Sequence, residues 1–276
     1  MKLSARVLAC AAIVLLMFAG VGCNKLRARD SLNKGVQAYK NAKYEEAIEK
    51  FKDAVTYDPT LLNARLYLAT AYLAQYVPGV ETEENTRLGA QAIEEYQKVL
   101  DANPSREQKI NSVKGIAYLY LQMKKFDDAR NYYLKATEID PNDPEPYYSV
   151  GVIDWTKTYQ PRQEERAKLG MKPADSLPAK DKKICAMLRD KNSDAVADGL
   201  KMLNKAMELR PDYDDAAAYI NLMYRERADI QCDDAEAYKA DMKTADDWVD
   251  KTMVIKKTKA EKAAQQPGGI VMDQNK

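Results

Sequence analysis

The sequence contains no histidine, and only three phenylalanines and two tryptophans. Without histidine there is no Ser-His-Asp or Cys-His nucleophile, no zincin-type zinc site and no His-ligated haem. Glycine and proline are scarce, 11 of each in 276 residues. That scarcity disfavours a sandwich or barrel with many tight turns. Neither charge is in excess: 43 Lys+Arg face 42 Asp+Glu. A dedicated nucleic-acid binder usually carries a basic surplus. The Gly-x-Gly-x-x-Gly, Walker and Gly-x-Ser-x-Gly patterns are also missing. Acidic clusters occur at 140–145, 212–215, 233–236 and 246–247. They lack the glycine and twelfth-position Glu of an EF-hand, and read as acids that complement helix N-termini. No cofactor and no metal site are expected. A hydrolase using two carboxylates stays open as a reading, since any two acids can meet in space.

What is present begins with an address. Lys2 and Arg6 precede an apolar run from Val7 to Ala19, and Gly20-Val21-Gly22 are small residues ahead of Cys23. This is the layout of an export signal. The run has about 16 uncharged residues, short of the roughly 20 that span a bilayer. A cysteine directly after small residues resembles a bacterial lipobox, with Gly20 where that motif usually has a branched aliphatic. The resemblance implies cleavage after residue 22 and acylation of Cys23. An uncleaved anchor and an ordinary signal with a chance cysteine are the competing readings. Asn24 stands where an Asp would signal retention in the inner membrane, so the resemblance implies the outer membrane, facing the periplasm.

One spacing then recurs four times: a small residue, a large apolar residue four on, a small one three further, and a proline five after that. The copies are Ala47/Phe51/Ala54/Pro59, Ala92/Tyr96/Val99/Pro104, Ala129/Tyr133/Ala136/Pro141 and Gly199/Leu203/Ala206/Pro211. Offsets of four and three share one helical face. Small residues let a neighbouring helix come close, the large one fills the gap, and proline stops the helix. Upstream of the copies lie further helical segments, with Gly35 and Ala117 as small contact residues.

This pattern resembles the tetratricopeptide repeat, a helix–turn–helix unit of about 34 residues. The resemblance implies an all-α fold: a right-handed superhelix of about five helix pairs. By that alignment the repeats run over 28–61, 62–106, 110–143, 144–213 and 214–257. Pro59 and Pro104 are 45 residues apart, and Pro141 and Pro211 are 70 apart. Insertions are therefore expected at 77–87, as a loop, and at 157–192, as a helix, a proline-containing loop and a short helix. The fifth repeat is degenerate, with its second helix expected over 244–252, packing through Ala245 and Val249, and a capping helix to about residue 262. Residues 23–27 would be a short linker and 264–276 a loose tail.

Cys185 and Cys232 remain after the signal and Cys23 are set aside. Export places them in an oxidising compartment, where two cysteines tend to pair. Two separate buried thiols are the alternative. Where the family's first helices face the concave groove, the alignment places Tyr39, Lys40, Lys114, Tyr118, Gln122, Tyr148, Trp155 and Arg225. Aromatics with a few donors make a plausible peptide-binding wall, or they only cover neighbouring helices. The carboxylate clamp of chaperone-binding family members is not matched, because Leu32 and Val36 occupy its first-repeat positions. The expected function is a non-enzymatic, membrane-anchored scaffold for a protein or peptide partner in the envelope. The chain resembles tetratricopeptide lipoproteins of outer-membrane barrel and type IV pilus assembly. A self-associating structural lipoprotein and an envelope hydrolase are the other readings.

Overall fold

The computed structural model describes residues 23–172 and 175–264. The expected signal segment and most of the expected loose tail lie outside these residues. Every regular element among the described residues is a helix. Residues 23–40 are helical (α1). They are followed by α2 (Tyr44–Tyr57), α3 (Leu62–Gln75), α4 (Glu83–Asp101), α5 (Arg106–Gln122), α6 (Phe126–Ile139), α7 (Pro144–Lys168), the short α8 (Leu177–Lys180), α9 (Lys182–Leu209), α10 (Asp214–Ala228) and α11 (Ala235–Ala264). The chain divides into two compact units, Met1–Tyr132 and Tyr133–Lys276, with the boundary inside α6.

The repeated spacing does what its geometry requires. Ala47, Phe51, Ala54, Ala92, Val99, Ala129, Ala136, Leu203 and Ala206 are wholly buried, and Tyr96 and Tyr133 nearly so. Pro59, Pro104, Pro141 and Pro211 follow the ends of α2, α4, α6 and α9. Glycines mark the tightest approaches. A Cβ on Gly35 of α1 would meet the Phe51 ring of α2 at 2.5 Å. One on Gly151 of α7 would meet Leu203 of α9 at 2.4 Å. Helix starts are equally legible. Ser105 and Gln108 form a reciprocal capping box at α5, Thr82 caps α4, and Asp143 caps α7 with Pro144 behind it.

Four expectations about extent change. Residues 23–27 are the first turns of α1 rather than a linker. The 77–87 insertion is a loop only to Thr82, because Thr82 and the following Glu83 and Glu84 start α4 there. That loop is pinned by buried Asn85. Its side chain accepts from the Val77 amide at 2.8 Å and donates to the Val77 and Val80 carbonyls at 2.8 and 2.7 Å. The 157–192 insertion mainly lengthens the fourth pair's own helices. Helix α7 runs on for 25 residues, through Pro161, and α9 has 28. Proline removes one backbone hydrogen bond, and the side-chain fastenings described below hold the turns beyond it. Finally, α11 is one helix of 30 residues. Ala245 is buried on it, but Val249 is 40% exposed. The inward stripe is instead Asp241, Ala245, Trp248 and Thr252.

Candidate functional site

In the first unit the large apolar residues build one core from α1 to α5, centred on Phe51, Leu68, Tyr72, Tyr96, Ile116 and Leu119. Tyr96 lies under the contact between α3 and α5. Its hydroxyl is 3.2 Å from Thr70 Oγ1, and a Cβ on Gly115 would strike its ring at 2.5 Å. Burial pushes the Tyr96 phenol up to about 12, so it stays neutral and acts as a hydrogen-bonding wall. Over it opens a cleft of about 360 Å³, lined by Asn63, Leu66, Tyr67 and Thr70 of α3 and by Glu107, Gln108 and Asn111 of α5, with Ser105 at the cap. Gln108 Nε2 donates to Asn63 Oδ1 at 2.7 Å across it. Tyr67 is 41% exposed while its ring stacks on Phe51 at 5.6 Å.

The expected groove residues divide between the units. Tyr118 is 43% exposed and lies on the α5 stripe that carries Asn111 and Gly115. Gln122 continues that stripe and borders a separate hollow of about 300 Å³ with Tyr76, Val80 and Met123. Lys114 is half-buried on the same helix. Tyr39 packs edge-on against Tyr44 at 5.3 Å. Burial and then Tyr44 raise its phenol above the usual range. Lys40 beside it is exposed. In the second unit, Tyr148 contacts Tyr213 at 4.9 Å and Tyr219 at 5.8 Å, while Trp155 contacts Tyr159 at 4.7 Å and Tyr219 at 5.2 Å. Both spend their rings on covering neighbouring helices. Burial raises the Tyr148 phenol as well.

The sequence alignment missed Asn63, Tyr67 and Asn111. Their signal was available. Asn63, Tyr67 and Thr70 follow offsets of four and three on α3, and Asn111, Gly115 and Tyr118 repeat those offsets on α5. The same spacing that marks packing on the second helices marks an open stripe on these first helices.

Arg225 belongs to the other unit's most polar region. Its Nε donates to Asn221 Oδ1 at 2.9 Å and its Nη2 to Asp246 at 2.7 Å. One turn away, the lengthened end of α7 is fastened to α10. Arg162 pairs with Glu226 at 3.0 Å through Nε and with Asp229 at 2.8 Å through Nη1. Arg166 Nη1 reaches the same Asp229 oxygen at 2.9 Å. Arg166 also donates to the Lys172 and Asp175 carbonyls at 2.6 and 3.1 Å. Glu226 and Asp229 are buried, and burial pushes the Glu226 carboxyl up to about 7 against the pull of Arg162. Cys185 and Cys232 are joined beside this network, with Cα atoms 5.5 Å apart. They link the start of α9 to the turn between α10 and α11. Cys23 is exposed at the start of α1 and takes no part in a disulfide.

Among the described residues, no cluster of three His, Cys, Asp or Glu could hold a metal ion. No helix there is long and apolar enough to cross a membrane. Residues 117–156, from within α5 through α6 into α7, match the family described as TPR repeat. The chain folds as a tetratricopeptide-type helical repeat protein. Its solved neighbours have the same architecture. A crystal structure of MamA covers 90% of this chain and 98% of its own, at 13% identity and a TM-score of 0.55. MamA from Desulfovibrio magneticus RS-1 covers 84% and 96%, at 16% identity and 0.55. YrrB, described as a TPR protein with an unusual peptide-binding site, covers 83% and 90%, at 14% identity and 0.50. Identities this low establish likeness of fold alone. Comparison with curated protein sequences gives no significant match.

Proposed function

We propose that the protein is a non-enzymatic scaffold of the bacterial envelope, held to the membrane by an acylated Cys23, which binds an extended peptide of a partner across its first unit. The α3–α5 cleft carries this reading. Asn63, Gln108 and Asn111 offer amides that can donate to and accept from a peptide backbone, Tyr67 offers a half-exposed ring among them, and Tyr118 offers a second one further along α5. An amide-lined cleft with no strongly activated acid or base suits recognition better than bond cleavage. The peptide-binding site named for YrrB supports the same use of this architecture. Helix α1 is already formed at residue 23, so an acyl chain there would meet the first helix with no linker. The lipobox and Asn24 favour the outer membrane, and the resemblance to tetratricopeptide lipoproteins of barrel and pilus assembly favours an assembly complex there as the partner.

The test places a photoreactive amino acid at Tyr67 and at Tyr118 of the full chain in cells, with the exposed Met187 as control. Protein adducts from the first two positions, lost on Asn63→Ala with Asn111→Ala, are expected. No adduct at either position would remove the cleft assignment. Acyl labelling of wild type against Cys23→Ser tests the anchor separately, and an unlabelled wild type would remove it.

A further inference from the structure

The lengthened fourth repeat does more than brace itself. Between the far end of α7, α10 and α11 lies a cleft of about 480 Å³, within the size range of small recognition sites. Tyr159, Met171, Tyr238 and Met242 supply apolar walls, and Arg162, Arg166 and Arg225 supply cationic edges. The arginines are positioned from behind. Arg162 donates through Nη1 to Asp229 and lies with its Nε 3.0 Å from Glu226 as an ion pair. Arg225 uses Nε on Asn221 and Nη2 on Asp246. Arg162 Nη2 and Arg225 Nη1 are left over among the described residues, on side chains already held at Nη1 of Arg162 and at Nε and Nη2 of Arg225. Arg166 is nine-tenths buried and is consumed by Asp229 and two carbonyls.

We infer that this cleft is a second binding site, independent of the α3–α5 cleft, for an acidic side chain flanked by apolar residues in a partner polypeptide. A guanidinium held by two carboxylates or an amide is pre-organised, so less freedom is lost when its remaining edge takes a carboxylate. Methionine is a soft, adaptable wall for an apolar neighbour, and tyrosine a rigid one. The cleft's own acids do not compete for these edges. Asp229 is shared by two arginines, and Asp175 Oδ2 accepts from the Lys172 amide at 2.7 Å. The raised carboxyl of Glu226 lessens the negative charge facing Arg162 near neutral pH.

The probe is the blocked peptide acetyl-Gly-Leu-Glu-Phe-Gly-amide, titrated into the full chain in detergent with methyl-labelled methionine. Shifts are expected at Met171 and Met242, and none at Met123 of the first unit. The Gln version of the peptide should bind roughly ten-fold more weakly, the effect of losing one charge-assisted hydrogen bond. Arg225→Gln should weaken the Glu peptide by a similar factor and leave the Gln peptide unaffected. Its released partner Asp246 is exposed, so the variant keeps its fold, which its unshifted methyl spectrum verifies. Equal binding of the Glu and Gln peptides, indifference to Arg225→Gln, or shifts at Met123 in place of Met171 and Met242 would each overturn the inference. So would binding only by an unblocked peptide through its terminal carboxylate. None of these results bears on adduct formation at Tyr67 and Tyr118.

Discussion

The two units apply one packing rule to helices of different length, and the longer helices add a disulfide and a branched network of buried ion pairs to it. In the first unit α2 and α3 have 14 residues each, α5 has 17 and α4 has 19. Small-against-large contacts such as Gly35 on Phe51 and Gly115 on Tyr96 cover their length. Pairs such as Lys34–Asp30 and Arg87–Glu84 are exposed there, where they contribute little, and Arg65–Glu95 joins α3 to α4 across a single short contact of 2.9 Å. In the second unit α7, α9 and α11 have 25, 28 and 30 residues. The repeat spacing still packs one part of them, through Gly151 on Leu203. The added turns lie beyond it, and they are held by a disulfide and by ion pairs taken out of water. Length added to a repeat therefore exchanges a generic fastening for a specific one.

The largest expected effect comes from removing the centre of that specific fastening. Asp229→Ala removes the buried carboxylate that Arg162 and Arg166 share. Breaking a buried pair by deleting one partner costs about 3–5 kcal/mol, because the surviving charge stays desolvated. Hydrogen exchange should accelerate in the turns of α7 after Pro161 and at the end of α10, with α2 to α5 unchanged. Equal acceleration in both sets of helices would show that the two units are not fastened differently.

A subtler probe asks whether the fastening is strained by its own burial. Glu226 titrates near 7 in the folded chain, against about 4.3 for an unperturbed Glu. Between those values the folded state keeps a proton that the unfolded state has released. Stability from this group is therefore greatest at low pH and falls as pH rises from about 4.5 to 7. Glu226→Gln removes the titration and should flatten the slope by roughly 1–3 kcal/mol across that window. Urea midpoints at pH 5 and pH 8 measure it. Identical slopes in wild type and variant would mean that Glu226 is ionised in the fold throughout. Comparing slopes separates this effect from the loss of the Arg162 contact, which shifts both midpoints together.

The helix pairs of the first unit were legible because each is a periodic apolar face closed by a proline, and both signals are local. The spacing of Ala47, Phe51, Ala54 and Pro59 specifies a face and a stop without reference to anything distant. What was not legible depends on partners far along the chain. Pro161 reads as a break, and the helix continues because Arg162 and Arg166 find Glu226 and Asp229 more than 60 residues later. Val249 reads as a contact on α11, but Asp241, pairing with Arg227 of α10, sets a different inward stripe. Tyr148 and Tyr118 look alike in an alignment. Only packing shows that Tyr148 rests on Tyr213 and Tyr219 while Tyr118 stands 43% exposed. Asn63 and Asn111 were missed for a simpler reason: polar residues at packing offsets are invisible to a search for apolar faces.

The smallest effect compares two turns directly. The turn from α5 to α6 holds Lys124 at φ 57°, with the Lys125 amide on the Tyr120 carbonyl at 2.9 Å. The turn after α7 uses Gly170 at φ 62°, with the Met171 amide on the Arg166 carbonyl at 3.0 Å. Both are left-handed residues closing a helix C-terminus, and only the second is a glycine. A side chain in that region costs about 1–2 kcal/mol, and glycine returns part of this as extra freedom in the unfolded chain. Lys124→Gly should therefore stabilise by about 0.5–1 kcal/mol, and Gly170→Ala should destabilise by a similar amount. A Cβ on Gly170 would meet nothing within 4 Å, so the second change reads backbone strain with no steric contribution. Thermal midpoints moving in opposite directions by a few degrees are expected, and a shift of the same sign in both variants would mean that the two turns are not equivalent.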